Sequence, residues 1–477
     1  MVAGGLAVIA SNQTGGVKSS FIGDLRIVLA GSGFRRLFAT RLISQAGDGV
    51  FTAGLGSYVF FNATTYPDPA SGAAAFAVLY LPYSLVGPFA GVFIDRWSRR
   101  QILVWSALVR AAFVALAATL VGSGVRGLPL YAASLLVLGV NRFFLASLSA
   151  SLPHVVPEHQ LVMANGVSPT AGGIMSAIGG FAALGVHVLT GGGGFGSAMT
   201  MVAAGGCYLL AAGAGATMSR DLLGPAKGPA GTEAGRRAEF AAIGAAMASV
   251  ASGLVAGARY VLRRRSPTAA LATIGASKLL YGILFLMAIL LYRNYFYPNS
   301  ADVALGHFTW MVFIPGAVGY GIAGLVTPPA TARISKQAWI SVALALAGVV
   351  TGALGSTFAQ FGFLIVALGV NFASQSVAIS AVTILQEDVE DNYRGRVFAF
   401  YDMMSNIPFV VGAALSALFM PLNGKSYPII VGIAAGYLIA SACYWAVVRR
   451  PSPSQAGATG GTGGQATPSA SAQRSNS

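Results

Sequence analysis

Long apolar runs recur along almost the whole chain, and they restrict its possible folds more than any other feature. A helix needs about 20 apolar residues to cross a hydrocarbon core about 30 Å thick. In lipid the backbone must satisfy its own hydrogen bonds, so such spans are helical. The sequence therefore predicts an all-α membrane protein with about twelve transmembrane helices, at 37–61, 73–94, 101–122, 129–150, 163–190, 197–218, 269–292, 303–326, 337–357, 360–385, 397–420 and 427–448.

Charged residues are too scarce to cover a soluble surface. They make up 9% of the chain and hydrophobic residues 55%, whereas soluble proteins carry about 25% charged residues. The lipid bilayer must supply the missing cover. The net charge of +15 would also suit a nucleic-acid partner, but soluble basic domains do not hold repeated runs of membrane-spanning length. We therefore expect the bilayer as a partner and no nucleic acid.

The basic residues are distributed unevenly between the two sides of the membrane. If the N-terminus is cytoplasmic, most of the 29 lysines and arginines face the cytoplasm, and the exceptions are Arg126, Arg293 and Lys425 outside and Arg110, Arg142 and Lys278 within spans. Basic loops stay on the cytoplasmic side. This asymmetry predicts a multi-pass protein of the cell membrane with both termini in the cytoplasm.

The charge pattern also divides the chain into segments. We predict a cytoplasmic N-terminal segment, a first six-helix half, a cytoplasmic connector, a second six-helix half and a disordered tail, at 1–33, 34–218, 219–268, 269–448 and 449–477. The connector has a mixed apolar and basic run from Arg236 to "YVLRRRS". That run favours an amphipathic helix at the inner membrane surface; a flexible linker is the alternative.

An internal repeat relates the two halves. "LGVN" occurs at 138–141 and again at 368–371, 230 positions later, and the same shift places "ANGV" (164–167) on "RGRV" (394–397) without a gap. It also maps Asp48 in the first span onto Lys278 in the seventh. Two pseudo-symmetric six-helix halves are a common transporter plan, with the substrate site between them.

Charge concentrates in "GVFIDRWSRR" (91–100), between the second and third spans. This segment resembles a signature of the major facilitator superfamily; Phe93 and Ser98 depart from it, and the matching positions are Gly91, Asp95, Arg96, Arg99 and Arg100. The second-half counterpart (324–337) is degenerate, with Pro328 where an aspartate would stand. Two further segments, "FRRLFATRLISQAGDGVF" and "NYRGRVFAFYDMM", are similar to the bacterial exporter branch that contains enterobactin and macrolide exporters.

The resemblance implies a cytoplasmic gate. Asp95 would sit against the start of the eleventh helix, near Arg394, where the helix dipole favours an anion. The gate arginines could engage acidic residues just before that helix, namely Glu387, Asp388, Glu390 and Asp391. We expect this latch to hold the halves together in the outward-facing state.

Ionisable residues inside the spans are candidate sites, because each is costly in the bilayer. Asp48 and Lys278 occupy equivalent places under the 230-residue shift. Asp48 is thus a candidate proton-linked carboxylate tuned by Lys278. A static ion pair between the halves and the absence of any contact are the alternatives.

Arg142 is the second candidate for coupling and the central cavity. With Ala146 it resembles a fourth-helix motif that the superfamily associates with proton coupling; structural hydrogen bonding is the alternative. Arg110 and Asp402 are weaker candidates, and Asp402 is placed about one turn inside its span. His187 fits a hydrogen-bonded core histidine better than a proton relay.

Catalytic and cofactor motifs are missing from the sequence. It has no nucleotide-binding P-loop, no clustered metal-ligand spacing and no Gly-x-Ser-x-Gly elbow. Cys207 and Cys443 lie in apolar runs, and we interpret both as small buried residues. We therefore expect no enzyme activity, no cofactor and no metal.

The sequence favours a monomeric secondary transporter that exports a small amphipathic or drug-like molecule, with protons as the coupling ion. It would work by rocking two halves around a site at the bilayer midplane. Two alternatives stay open: a lipid or lysolipid translocator, and a membrane scaffold or sensor that keeps the fold without transport.

Overall fold

The structure of the chain is a computed structural model that describes residues 31–61, 69–85, 89, 97–125, 127–157, 161–219, 222–224 and 233–449. The predicted N-terminal segment up to residue 30 and the tail from residue 450 lie outside these ranges. Every regular element within them is a helix, as predicted. The first half contains α1 to α6, which span Ser32–Phe60, Pro69–Leu85, Arg99–Gly122, Leu128–Val155, Leu161–Leu189 and Gly193–Ala216.

The connector and the second half contain seven helices, α7 to α13. They span Glu233–Leu262, Arg265–Phe296, Ala301–Arg333, Lys336–Gly355, Gln360–Asp388, Asp391–Phe419 and Tyr427–Arg449. A π-helical turn, Thr309–Phe313, interrupts α9 just before Pro315, which cannot donate a backbone hydrogen bond. α10 begins where the Ser335 hydroxyl accepts a hydrogen bond from the amide of Ala338 at 3.1 Å.

The two halves repeat the same helix packing. In the first half α1 packs on α5 and α6, α3 on α4 and α6, and α2 on α4. In the second half α8 packs on α12 and α13, α10 on α11 and α13, and α9 on α11. Each contact in one half thus has its counterpart in the other, as two pseudo-symmetric six-helix halves require.

Glycines in close helix contacts show the register of the repeat. On α1 and α5, a Cβ at Gly49 or Gly179 would overlap a backbone carbonyl, that of Ser176 or Ala46. On α8 and α12 the same is true of Gly282 and Gly412, which meet the carbonyls of Phe409 and Leu279. The two glycines and the two carbonyl residues of the second half each lie 233 residues after their counterparts in the first half, namely 282 after 49, 412 after 179, 409 after 176 and 279 after 46. The gapless 230-residue shift is therefore wrong for these helices, and Asp48 corresponds to Tyr281 rather than Lys278.

The membrane-spanning character of the helices agrees with the prediction in all but three places. Eleven stretches in the described ranges are long and apolar enough to cross a bilayer. One of them, Gly244–Leu262, belongs to the connector, and the others coincide with predicted spans. α1 is not among them, because its polar residues lower its mean hydropathy. Such residues, for example Ser44 and Asp48, face the interior of the bundle and not the lipid. The described apolar part of α2, Pro69–Leu81, is short.

Aromatic side chains join the halves at one end of the bundle. This end, where α1 finishes and α2 begins, is here called the outer end after the predicted orientation. Phe409 of α12 contacts Phe76 and Tyr80 of α2, with ring centres 5.2 and 4.6 Å apart. Phe61, after α1, lies 5.4 Å from Phe308 of α9. Such pairs add about 0.5–1.5 kcal/mol each beyond the burial of their area, so the halves are closed together at the outer end.

The connector helix α7 docks on the second half at the opposite end. Tyr260 stacks on Tyr393 of α12 with ring centres 4.2 Å apart. Gly257 lies against Arg396, where a Cβ would approach the Arg396 Cβ to 2.8 Å. Residues 233–262 of the connector are helical, and the position of this helix at the membrane surface stays a prediction.

Candidate functional site

A buried ion pair occupies the interior of the first half. Asp48 of α1 pairs with Arg110 of α3, and Arg110 also donates to the Ser44 hydroxyl at 2.9 Å. The Arg110 side chain is fully buried, and 12% of the Asp48 side chain is exposed. Arg110, a weaker candidate from sequence, is therefore the partner of Asp48. The carboxylate is the more accessible member of the pair.

Two further side chains complete the Asp48 cluster. Asn141 of α4 donates to one carboxylate oxygen at 3.1 Å, and the Tyr208 hydroxyl of α6 donates to the other at 3.0 Å. The Arg110 guanidinium lies 3.8 Å from the centre of the Tyr208 ring, within range of a cation–π interaction. Four helices, α1, α3, α4 and α6, thus converge on one carboxylate, and a change in its charge acts on all four.

Lys278 does not pair with Asp48 in this structure, which agrees with the alternative in which the two side chains have no contact. Its ammonium donates to the Ser374 hydroxyl of α11 at 3.0 Å, and among the described residues no carboxylate lies within ion-pair distance of it. The 233-residue register explains why the two do not occupy equivalent places, because Tyr281 is the residue equivalent to Asp48. Tyr281 donates to Asn371 at 3.1 Å, as Asn141 donates to Asp48 in the first half.

Arg142 and Asp402 bring opposite charges together from the two halves. Arg142 is on α4, Asp402 is on α12, and the two interact electrostatically. Asp402 lies eleven residues after the start of α12 at Asp391, which is about three helical turns. The membrane-spanning stretch of α12 begins later, at Arg396, six residues before Asp402. The first residues of α12 precede that stretch, and the depth of Asp402 in the membrane stays a prediction.

A cavity of about 310 Å³ lies between α8, α9 and α11, with Tyr80 of α2 closing one side. Its polar lining groups are Tyr80, Tyr281, Tyr320 and Asn371, and the rest of the lining is apolar. A volume of this size fits the small end of ligand pockets, about 300–1,000 Å³. The cavity can hold an apolar body and offer it a few hydroxyl and amide groups.

Three polar side chains on α11 form a ladder that sequence reasoning did not identify. Asn371 accepts from Tyr281, Ser374 accepts from Lys278, and Gln375 bonds to Tyr320 of α9. The signal was available, since polar residues at i, i+3 and i+4 in an apolar span share one helix face.

The predicted cytoplasmic gate is described only in part. Gly91, Asp95 and Arg96 lie outside the described residues. Arg99 donates to the carbonyl of Ala150 at 2.9 Å, and Arg100 to that of Ala216 at 2.8 Å. Both arginines thus bind their own half, at the ends of α4 and α6.

The acidic residues expected to receive the gate arginines have other partners. Glu387 pairs with Lys336, and Glu390 pairs with Arg264 at 2.6 Å. Arg264 also donates to the carbonyl of Asp388 at 2.8 Å, while the side chain of Asp391 lies outside the described part. The described components of the latch are separate in this structure, and the latch remains a prediction for the outward-facing state.

At the outer end, His187 of α5 contacts Asp302 of α9 across the two halves, with 3.1 Å between Nε2 and the carboxylate. His187 is 4% exposed, and this partner agrees with the interpretation of a hydrogen-bonded histidine. The sequence did not single out Asp302, because it lies at the edge of its span. Cys443 is exposed on α13, which corrects the expectation that it is buried.

Comparison with curated proteins finds two similar relatives. The chain is 34% identical over 428 residues to an uncharacterized MFS-type transporter of Mycobacterium bovis and, equally, to one of Mycobacterium tuberculosis. Each alignment covers 88% of this chain and 92% of the relative. No family model matches the chain.

Solved structures share the fold at low sequence identity. The nucleoside transporter NupG is 16% identical, with a TM-score of 0.60 over 87% of this chain and 99% of that structure. The peptide transporter POT in complex with sulfate is 13% identical, with a TM-score of 0.60 over 90% and 98%. A bacterial homologue of the human lysosomal transporter Spinster is 14% identical, with a TM-score of 0.57 over 92% and 100%.

Proposed function

The chain belongs to the family of MFS-type transporters, the major facilitator superfamily, and from that premise we propose that it exports a small amphipathic or drug-like molecule by proton-coupled alternating access. It is a multi-pass membrane protein and a transporter. The observation that carries the coupling proposal is the buried Asp48–Arg110 pair. A titratable carboxylate inside a membrane protein marks a functional site by default.

The geometry supports a specific coupling step. A proton that reaches Asp48 neutralises the charge that Arg110, Asn141 and Tyr208 bind. Arg110 is then a buried cation without its counter-ion, and the contacts between α1 and α3 weaken. Proton loading thereby changes the relative stability of two packings of the first half, which is what a coupling ion must do.

Alternating access is supported by where the halves meet. The aromatic contacts of Phe409 and the His187–Asp302 contact both lie at the outer end. The Arg142–Asp402 interaction lies deeper between the same halves. We propose that the structure is the inward-facing state, in a monomer placed in the cell membrane with both termini cytoplasmic. Export as the direction rests on the exporter-like segments at the start of α1 and α12.

Efflux of three fluorescent amphipathic dyes, one cationic, one neutral and one anionic, from proteoliposomes with an imposed pH gradient tests the proposal. We expect gradient-driven efflux by the wild type and loss of the pH dependence in the double variant Asp48→Asn, Arg142→Ala. Lys336→Gln, which removes a partly exposed charge at the start of α10, is the matched control and should transport normally. Unchanged pH-driven efflux in the double variant would refute proton coupling through these residues.

The latch proposal has its own test. Asp95→Ala should leave insertion and expression intact but slow transport, because the outward-facing state would lose its contact with the start of α12. Normal transport rates in that variant would refute the latch.

Translocation of a lysolipid is the second candidate function, and the largely apolar lining of the 310 Å³ cavity favours it. Movement of a fluorescent lysolipid between leaflets of the same proteoliposomes distinguishes it from drug export. Lysolipid movement without efflux of any of the three dyes would replace the first proposal with the second.

A further inference from the structure

Lys278 lies within a membrane span, and none of the acidic side chains that the structure describes lies within ion-pair distance of its ammonium. Of the acids that lie more than one turn inside a described span, Asp48 pairs with Arg110, and Asp402 interacts electrostatically with Arg142. Among the described residues Lys278 has only the neutral Ser374 hydroxyl as a hydrogen-bond partner. Burying an ammonium without a counter-ion is strongly unfavourable, and an ionisable residue inside a membrane protein marks a functional site by default.

The position of Lys278 links it to the cavity. It lies one helical turn before Tyr281, and its Nζ is 5.8 Å from the centre of the Tyr281 ring. Tyr281 and Asn371 line the cavity, and Ser374, which receives the Lys278 hydrogen bond, follows Asn371 by three residues on α11. Lys278 and Ser374 are not lining residues themselves, so the ammonium lies about one helical turn from the cavity wall that Tyr281 and Asn371 form.

We propose that Lys278 binds an acidic group of the transported molecule, so that the substrate is an amphipathic anion with its apolar body in the cavity lined by Tyr80, Tyr281 and Tyr320. This inference rests on the proposed transport function and assigns its substrate class. An ammonium has three donors, and the hydrogen bond to Ser374 uses one, which leaves two for a carboxylate or phosphate. A free organic acid and a single-chain anionic lipid share this chemistry.

Binding of a matched pair of probes to the purified full-length protein tests the inference. 1-Pyrenebutyrate is an anion and 1-pyrenebutanol is its neutral counterpart, and energy transfer from tryptophan to pyrene reports the binding of either. The wild type should bind the carboxylate about tenfold more tightly than the alcohol, because the alcohol oxygen can accept a hydrogen bond from the ammonium but carries no negative charge to pair with it. Lys278→Met should abolish this preference, and Lys278→Arg should restore part of it.

Lys425→Met is the matched control. Lys425 is at the outer surface, where it bonds to Tyr295 at 2.8 Å, so its loss should leave the carboxylate preference unchanged. Equal affinities of the wild type for the two probes, binding of neither, or a preference that survives Lys278→Met would each overturn the inference. Competition separates the two sources of anion, since displacement of 1-pyrenebutyrate by lysophosphatidylglycerol but not by lysophosphatidylcholine identifies a lipid substrate.

A transport measurement keeps this inference separate from the function on which it rests. Proteoliposomes that move both probes equally fast under a pH gradient would overturn the anion inference and leave proton-coupled transport standing. Carboxylate-selective binding that depends on Lys278, without gradient-driven movement of the probe, would support the anion site and count against proton-coupled transport.

Discussion

Removing the charge of Asp48 should destabilise the first half strongly. In Asp48→Asn the fully buried Arg110 would keep its charge and lose its counter-ion. Breaking a buried pair by removing one partner costs about 3–5 kcal/mol, because an uncompensated charge remains. Arg110→Gln should have an effect of similar size, since it leaves the carboxylate with Asn141 and Tyr208 as its only described partners.

The double variant Asp48→Asn, Arg110→Gln should be less destabilised than the sum of the single variants by about 2 kcal/mol or more, because neither charge is left alone. SDS-induced unfolding of the purified protein in mixed micelles measures the three free energies. The exposed pair Lys336–Glu387 is the control, and the same cycle with Lys336→Gln and Glu387→Gln should give about 0–1 kcal/mol. Additive effects at Asp48 and Arg110 would refute the buried pair.

Three further predictions concern contacts between helices. Gly179→Ala should lower the free energy of unfolding by about 1–3 kcal/mol, because the new Cβ would overlap the Ala46 carbonyl. Gly185→Ala on the same helix is the control, since its Cβ would meet no atom within 4 Å, and it should be neutral or stabilising in the same unfolding assay. Arg264→Gln removes the ion pair with Glu390, which helps to hold the end of α7 near α12, and should speed amide hydrogen exchange along 244–262. Unchanged exchange would show that the Tyr260–Tyr393 stack holds α7 on α12 without this ion pair. Asp302→Asn removes the charge that His187 contacts and should increase the fraction of molecules that are open at the outer end. Longer distances between spin labels on α5 and α9 would show this change.

The helices were predictable because their signal is local. A run of apolar residues long enough to cross a bilayer must be helical wherever it lies in the chain, and the predicted span at 360–385 lies within Gln360–Asp388. Helix limits were less accurate. α12 begins at Asp391, before the predicted start at 397, because polar residues continue the helix beyond the apolar run.

The partner of Asp48 was not predictable from the repeat. "LGVN" aligns α4 with α11 at 230 positions, whereas the close glycine contacts align α1 and α5 with α8 and α12 at 233. Three residues are less than one helical turn, yet they rotate Lys278 away from the place that Asp48 occupies. A motif in one helix carries no information about the length of the loops that connect it to the others.

The amino-acid sequence by itself determined that the chain is an all-helical membrane protein, how it divides into two six-helix halves and which residues are costly enough in lipid to be candidate sites. These properties depend on composition and on distances along one helix. The tertiary structure alone decided that Asp48 meets Arg110, that Lys278 lies near the aromatic cavity with no described carboxylate in ion-pair distance, and that the halves close at the outer end. Such pairings depend on the rotation of each helix about its axis, which the packing of side chains between helices sets.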